Sequence, residues 1–217
     1  MTKSAPRVDL SSLPVRDRPA SRLVQLFAGL VLYGTSMAMM VRSGLGLAPW
    51  DVLHEGLAES AGTGFGVVTA LTGAIVLLLW VPLRQRPGLG TVANVVVVAL
   101  SVDAALWLLP TVESPLVGAL LLIGGVLCNG VATATYVGSR FGPGPRDGLM
   151  TGLHERTGLS LRTVRTGLEV AVLVTGWVLG GTVGVGTACY ALAIGPLTQL
   201  AMPVVAVSTA RAGQSGT

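Results

Sequence analysis

The sequence predicts an all-α polytopic membrane protein, with six transmembrane helices arranged as two inverted three-helix repeats, each containing a short amphipathic or re-entrant helix. Composition is the first observation behind this fold class: of 217 residues, 51% are hydrophobic and only 11% are charged. Soluble domains usually carry about 25% charged residues. A surface so poor in charge suits lipid, which excludes an ordinary soluble enzyme and a disordered chain. The second observation is an internal repeat that covers most of the chain.

Six apolar segments are long enough to cross a bilayer, whose hydrocarbon core of about 30 Å requires about 20 apolar residues per helix. They are Leu23–Val41, Phe65–Leu83, Thr91–Leu109, Pro115–Val137, Thr163–Gly180 and Ala188–Val207. We expect a cytoplasmic N-terminal arm at residues 1–22, a first membrane repeat at 23–114, a second at 115–208 and a cytoplasmic tail at 209–217. A cleaved signal peptide is the alternative for the first segment, although its apolar stretch exceeds the usual length of about 7–15 residues.

The arginines give the orientation, because arginine and lysine concentrate in cytoplasmic loops. When six spans are threaded, one side of the membrane carries the basic N-terminal arm, Arg84, Arg86, Arg140, Arg146, Arg156, Arg162, Arg165 and Arg211. The other side carries Arg42 together with Asp51, Glu55, Glu59 and Glu113. Both termini are therefore predicted to be cytoplasmic. The net charge of +4 then reflects insertion into a lipid bilayer, and no nucleic-acid surface is expected.

The internal repeat aligns residues 29–91 with residues 125–187 without a gap, at a constant offset of 96 positions, and roughly a third of the paired residues are identical. Each copy contains three spans, which is an odd number, so the second copy must enter the membrane from the opposite side. The charges agree, because Arg146 and Arg162 stand where the first copy has Trp50 and Gly66. Inverted repeats are a recurrent plan of secondary transporters, with the substrate site at the interface between the repeats.

The two copies share a break before a short helical segment. It comprises Gly46, Pro49 and Asp51 in the first copy and Gly142, Pro145, Arg146 and Asp147 in the second. Glycine permits unusual backbone angles and proline suits the first turn of a helix, so these breaks could place helix ends beside a small polar solute. The alternative is that the two aspartates simply cap short surface helices. Residues 50–60 are too few and too acidic to span, which indicates an amphipathic or re-entrant helix with Trp50, Leu53 and Leu57 on one face and the acids on another.

Polar side chains inside the predicted spans are the other candidates, because ionisable groups are costly in lipid and are often functional there. The candidates for a solute or coupling site are Asp103, Glu169, Gln199, Asn129 and Tyr33, with Asn94 and Tyr190 beside them in the repeat alignment. Glu169 follows Arg165 by one helical turn, so an ion pair between them is expected. Interhelical hydrogen bonds that only hold the bundle together are the alternative.

No pattern of enzyme chemistry is present. The chain has two histidines, and neither His54-Glu55 nor His154-Glu155 is followed by the second histidine of a zinc HExxH motif. Cys128 and Cys189 lie in apolar stretches without metal-ligand spacing and are predicted to be free, buried thiols. We therefore expect no catalytic residue, no metal and no cofactor.

The segments GLGLAPWDVLHEGLA, PLRQRPGLGT, GPGPRDGLMTGL and AIGPLTQL resemble the YczE-like family of bacterial integral membrane proteins and, more distantly, the YitT-type membrane proteins. The resemblance covers about residues 23–207 and implies a small multi-pass protein of the bacterial inner membrane, without assigning a substrate or site residues. The repeat and the intramembrane acids favour a small permease for an unidentified solute, coupled to protons or cations. The alternative is a non-transporting accessory protein, bound to a partner membrane protein or enzyme through small-residue stripes such as Gly176 with Gly180. A homodimer is compatible with either.

Overall fold

The computed structural model describes residues 19–206, which form eight α-helices and contain no β-strand. The helices are α1 (Pro19–Ser43), α2 (Pro49–Ala61), α3 (Phe65–Trp80), α4 (Leu89–Leu108), α5 (Pro115–Gly138), α6 (Pro145–Thr157), α7 (Leu161–Val178) and α8 (Val185–Val205). The predicted all-helical class is confirmed. The predicted N-terminal arm and C-terminal tail lie almost entirely outside the described residues.

Helices α1 and α5 form an antiparallel pair at the centre of the molecule. Arg22, near the start of α1, donates a hydrogen bond of 2.9 Å to the carbonyl of Ser139, just after the end of α5. Gly118, in the first turn of α5, lies against the carbonyl of Ser43 at the end of α1. Helix α4 packs on α1, and α8 packs on α5.

Glycines allow the helices of this central group to approach one another closely. A Cβ atom on Gly29 of α1 would lie 2.7 Å from the backbone nitrogen of Tyr136 in α5, and one on Gly34 would lie 2.8 Å from the carbonyl oxygen of Val98 in α4. In lipid, where apolar side chains gain little by leaving the solvent, such close backbone packing is a main source of helix association.

The short helices α2 and α6 begin where the sequence predicts the breaks. Pro49 and Pro145 occupy the first turns of the two helices. The preceding Gly46 and Gly142 have φ angles of 113° and 121°, which residues with a side chain rarely adopt. A Cβ on Gly46 would also lie 2.6 Å from the backbone nitrogen of Gly184. Both conformation and space therefore require glycine at this break.

Helix α2 is not a surface helix, and its acids do not share one solvent-exposed face. Asp51 is only 1% exposed, and Val52 and His54 beside it are also buried, because the first half of α2 packs against both α3 and α7. The C-terminal end of α2 is exposed to its surroundings, as Glu59 and Ser60 show. Of the two predicted alternatives, an amphipathic surface helix or a re-entrant helix, burial of the first half of α2 favours the re-entrant one.

Four helices are long and apolar enough to cross a membrane: α1, α4, α5 and α8. Helices α2 and α3 together form a fifth candidate, a broken span or re-entrant loop bent by 115°. Helix α3 has only 16 residues, about 24 Å of helix. Helix α7 has 18 residues but includes Arg162, Arg165 and Glu169. The structure therefore provides four or five candidate spans by length and composition.

Candidate functional site

A cavity of about 340 Å³ lies among the helices, and residues of both sequence repeats line it. This volume is within the range of small-molecule sites, about 300–1,000 Å³. Of the predicted site residues, those that line the cavity are Tyr33, Pro49, Pro145, Arg146, Asp147, Glu169 and Gln199, together with the flanking candidates Asn94 and Tyr190. The sequence breaks and the intramembrane polar residues therefore contribute to one cavity.

An ion pair between Arg146 of α6 and Asp51 of α2 joins the two repeats beside the cavity. Nη2 of Arg146 lies 3.4 Å from Oδ1 of Asp51, whose side chain is almost fully buried. The guanidinium also stacks over the indole of Trp50, 4.9 Å from the ring centroid. His54 Nδ1 lies 3.6 Å from the same carboxylate oxygen. A partly buried cation–π contact of this kind contributes about 0.5–2 kcal/mol.

Asp147 follows Arg146 and occupies the third position of helix α6. Its carboxylate lies beside Gly144, the residue that precedes the helix, where a Cβ atom would be 3.2 Å from Oδ2. A carboxylate is stabilised there because the unpaired N–H groups of a helix start carry partial positive charge. Asp147 makes no ion pair with any residue in the described part of the chain. Asp147 therefore lies both at the start of α6 and in the cavity wall, and its capping role stays a prediction.

Helix α7 contributes a second pair of charges. Nε of Arg165 donates a hydrogen bond of 2.9 Å to Oε1 of Glu169, which confirms the pair predicted from their spacing. Both residues line the cavity, and the side chain of Glu169 is 34% exposed. These charged groups are therefore accessible from one side of the cavity.

All three tyrosines of the chain line the cavity. The rings of Tyr33 and Tyr136 meet edge to face, with centroids 5.9 Å apart. The hydroxyl of Tyr190 donates a hydrogen bond of 3.1 Å to Oδ1 of Asn129, whose amide nitrogen donates in turn to Ser36 at 2.8 Å. Asn129 thus lies behind the cavity wall and fixes the position of Tyr190.

Asp103 lies outside the cavity, at the junction of α3 and α4. Its Oδ1 accepts a hydrogen bond of 2.7 Å from the backbone N–H of Gly66, in the first turn of α3. Gly64, the N-cap residue of α3, has no side chain that could accept this bond, so the Asp103 carboxylate supplies the cap from the neighbouring helix.

Sequence reasoning did not single out Tyr136, Trp50 or Arg165 as cavity residues. For the two aromatic residues the signal is rarity, because the chain has only three tyrosines and four tryptophans, and aromatic side chains commonly line binding sites. For Arg165 the signal is its predicted pairing with Glu169. Among residues 19–206, no three His, Cys, Asp or Glu side chains are grouped so as to hold a metal ion. Both cysteines are free, but Cys189 is exposed and Cys128 only partly buried, so the predicted burial is wrong for Cys189.

Several apolar helices around a cavity lined by charged and aromatic groups define a polytopic helical membrane protein. The chain belongs to the family described as "Family of unknown function (DUF6198)", whose sequence profile matches residues 20–203. The YczE-like resemblance is confirmed, since the chain is 30% identical over 179 residues to the "Uncharacterized membrane protein YczE" of Bacillus subtilis, covering 82% of this chain and 83% of that one.

Two further relatives cover similar shares of the chain. An uncharacterized protein of Haemophilus influenzae is 38% identical over 183 residues, covering 84% of each chain. The uncharacterized protein YyaS of B. subtilis is 28% identical over 186 residues, covering 82% of this chain and 90% of that one. No solved structure matches the chain.

Proposed function

We propose that the protein is a small secondary transporter, or permease, of the bacterial inner membrane that carries a small polar solute through the central cavity. In this proposal six spans form two inverted three-helix repeats, and both termini are cytoplasmic. The observation that carries the proposal is an asymmetry around the cavity, where one pair of helices is closed and the equivalent pair is open. The protein acts as a carrier and catalyses no chemical step.

Reciprocal contacts support the inverted repeat. Gly90 N–H donates a hydrogen bond of 3.0 Å to the carbonyl of Phe141, and Gly186 N–H donates one of 2.8 Å to the carbonyl of Leu45. Each of these residues lies 96 positions from its counterpart in the other bond. Exchanging the repeats turns one contact into the other, as a two-fold axis between them requires. The antiparallel packing of α1 and α5, which are equivalent helices in the alignment, agrees with inversion.

Helices α3 and α4 are closed against each other along one side of the cavity. A Cβ atom on Gly66 would lie 2.4 Å from the carbonyl oxygen of Ala99, and one on Gly73 would lie 3.0 Å from the side chain of Val95. The hydrogen bond from Gly66 to Asp103 fastens the same junction. Neither solute nor water can pass between helices packed at this distance.

The equivalent helices α7 and α8 are not in extensive contact. Gly195 of α8 is the repeat counterpart of Ala99, yet a Cβ atom there would meet nothing within 4 Å. Arg165, Glu169 and Gln199, which flank this opening, all line the cavity. By the predicted orientation, the opening lies toward the cytoplasmic ends of α7 and α8.

A closed pair on one side and an open pair on the other is the arrangement that alternating access requires. Transporters with inverted repeats switch by exchanging the conformations of their two halves around a fixed central site. In this protein the exchange would close α7 against α8 and separate α3 from α4. Glu169 lies in the cavity and is our candidate for the coupling group, which would take up a proton or a cation.

Flux into liposomes tests the function directly. Purified protein is reconstituted, and the uptake of a panel of small cations, anions, zwitterions and neutral polar solutes is measured with and without a proton gradient. We expect saturable uptake of one class and a loss of at least about tenfold with Arg146→Gln or Glu169→Gln, since each removes a charged contact of about 1.4 kcal/mol or more. Glu155→Gln is the matched control, because Glu155 is exposed and outside the cavity.

The accessory-protein alternative makes the opposite prediction. It is favoured if no solute moves, no proton-coupled current appears, and a partner co-purifies in a fixed ratio. The small-residue stripe that favoured this alternative is weakened, because Gly176 already packs against α2 of the same chain. A Cβ atom there would lie 2.4 Å from the backbone nitrogen of Leu53. Gly176 is therefore not free to contact another protein.

A further inference from the structure

We propose that the solute taken up by this cavity is a small organic monocation, such as an amine, a guanidine or a quaternary ammonium compound. The inference rests on the proposed transport function, because it assigns a substrate class to the same cavity. Its basis is the charge balance of the cavity together with an aromatic lining.

Four charged side chains line the cavity and a fifth, Asp51, is paired with one of them, and the five charges do not cancel. Arg146 faces Asp51 at 3.4 Å, and Arg165 faces Glu169 at 2.9 Å. Asp147 is the remaining carboxylate. The positive charges of Arg146 and Arg165 act on it, but no arginine, lysine or histidine in residues 19–206 forms an ion pair with it. When Asp147 is ionised, the cavity has one negative charge in excess.

His54 does not change this balance. Its side chain is buried, and burial favours the neutral form of an imidazole. Burial also raises the pKa of the Asp147 carboxyl, because a buried charge without a counter-ion is costly. A bound solute with one positive charge is the counter-ion that favours its ionised form. The solute that best complements the cavity therefore carries one positive charge. An anion would instead have to displace Asp51 or Glu169 from its arginine.

The aromatic lining suits the same class of solute. Tyr33, Tyr136, Tyr190 and Trp50 all contribute to the cavity wall. Aromatic faces attract amines, guanidines and quaternary ammonium groups. The guanidinium of Arg146 already lies over the Trp50 ring, so in this proposal the three tyrosines supply the aromatic contacts to a bound organic cation.

Three probes of similar size but different charge test the assignment: benzyltrimethylammonium, benzyl alcohol and benzoate. Their binding to the purified full-length protein in detergent is measured by thermal shift and by titration calorimetry. We expect the cation to bind saturably and at least about tenfold more tightly than the other two, equivalent to about 1.4 kcal/mol.

The variants have effects of opposite sign. Asp147→Asn and Glu169→Gln each remove one negative charge, so each should weaken binding of benzyltrimethylammonium by about tenfold. Arg165→Gln removes a positive charge from a side chain that is 57% exposed, and should strengthen binding about threefold or more. Glu155→Gln should have no effect. If Asp147→Asn does not fold, the other two variants still decide the question.

The assignment is overturned if benzoate binds best, if no probe binds, or if Arg165→Gln weakens binding of the cation. Flux measurements separate this failure from that of the transport proposal. Saturable uptake of an anionic or neutral solute would leave transport standing and remove the cation assignment. Binding of the cation without flux of any solute would leave the ligand class standing and remove transport.

Discussion

Arg146 and Trp50 occupy equivalent positions of the two sequence repeats and touch each other beside the cavity. Two equivalent groups related by a two-fold axis can meet only at that axis, so in the proposed inverted repeat this contact lies on the axis between the two halves. The sequence predicts Arg146 as one of several cytoplasmic arginines. The short helix α6 instead carries it inward to Asp51 of α2.

Trp50 and Trp80 provide a residue-scale prediction about buried N–H groups. Nε1 of Trp80 donates a hydrogen bond of 3.0 Å to the carbonyl of Pro145, whereas Nε1 of Trp50 is buried without a partner. Phenylalanine removes the N–H in both cases, but only Trp80→Phe breaks a hydrogen bond; the Pro145 carbonyl, at the first position of α6, keeps its bond within the helix. We expect Trp80→Phe to destabilise the protein by about 0.5–1.5 kcal/mol more than Trp50→Phe.

The measurement is the free energy of unfolding in detergent, followed by circular dichroism during chemical denaturation. Both changes remove a similar volume from a buried site, so each is the control for the other. Equal losses of stability would show that the Trp50 N–H is paired, for example by water, and that the cavity wall differs from the one described.

At the scale of single residues, the sequence identified several polar side chains that line the cavity, but it did not predict the direction in which each polar side chain points. Glu169, Gln199 and Tyr33 line the cavity as expected, whereas Asp103 and Asn129 do not. A polar residue in a membrane helix can face either a cavity or a neighbouring helix, and both satisfy its hydrogen bonds. For Asp103 the deciding factor is Gly64, which leaves the start of α3 without a capping side chain.

Helix packing depends on glycine at a few contacts between elements, and α6 gives the sharpest case. A Cβ atom on Gly148 would lie 2.0 Å from the buried indole ring of Trp80 in α3. Gly167 of α7 is also in a helix, but a Cβ atom there would meet nothing within 4 Å. We expect Gly148→Ala to lower the free energy of unfolding by about 1–3 kcal/mol, and Gly167→Ala to leave it unchanged or raise it, since alanine favours helix. Thermal unfolding in detergent compares the two, and similar effects would contradict the close packing of α6 on α3.

The junction between α3 and α4 gives a second element-scale prediction. Asp103→Ala removes the charged acceptor of the Gly66 N–H, a hydrogen bond that contributes about 1.5–3 kcal/mol. The closed junction should then open more often, and a cysteine at Val95, in the cavity wall beside it, should react faster with a thiol reagent.

The experiment uses a background in which Cys128 and Cys189 are replaced, and compares labelling rates of the Val95→Cys protein with and without Asp103→Ala. Glu113→Gln is the control, because Glu113 is an exposed acid in the loop after α4. We expect an increase of about tenfold or more with Asp103→Ala alone. An unchanged rate would mean that Asp103 does not hold this junction closed.

The ends of the elements were predictable where proline or glycine fixes them and less so elsewhere. Helices α2 and α6 begin at Pro49 and Pro145, as the breaks indicate. Helix α3 was expected to reach Leu83 but ends at Trp80, shortly before Pro82, where a proline removes an N–H donor and disfavours helix in the residue before it. Helix α8 continues through Pro196 and Pro203, which neighbouring groups can tolerate in a membrane helix.

The whole molecule exposes large apolar side chains around most of its circumference, with examples in α1, α3, α4, α5, α7 and α8. A soluble monomer would not tolerate a surface of this kind, whereas a bilayer covers it. The charged groups that remain inside are paired, capped or turned toward the cavity. Polar groups are therefore concentrated at a few places within an otherwise apolar interior, which is the arrangement expected where ionisable residues serve a function within a membrane.

Orientation in the membrane is the prediction on which the inverted-repeat proposal depends most directly. Thr63 and Leu159 are equivalent positions, 96 residues apart, and both are exposed beside the glycines that end α2 and α6. If the second repeat is inverted, Thr63→Cys should react from outside the cell with a membrane-impermeant thiol reagent, and Leu159→Cys only after the membrane is opened. Both variants are made in the background in which Cys128 and Cys189 are replaced. Labelling in detergent controls for differences in the intrinsic reactivity of the two cysteines. Reaction of both cysteines from one side would mean that the repeats run parallel, and exchange of their conformations could not then open the cavity to each side of the membrane in turn.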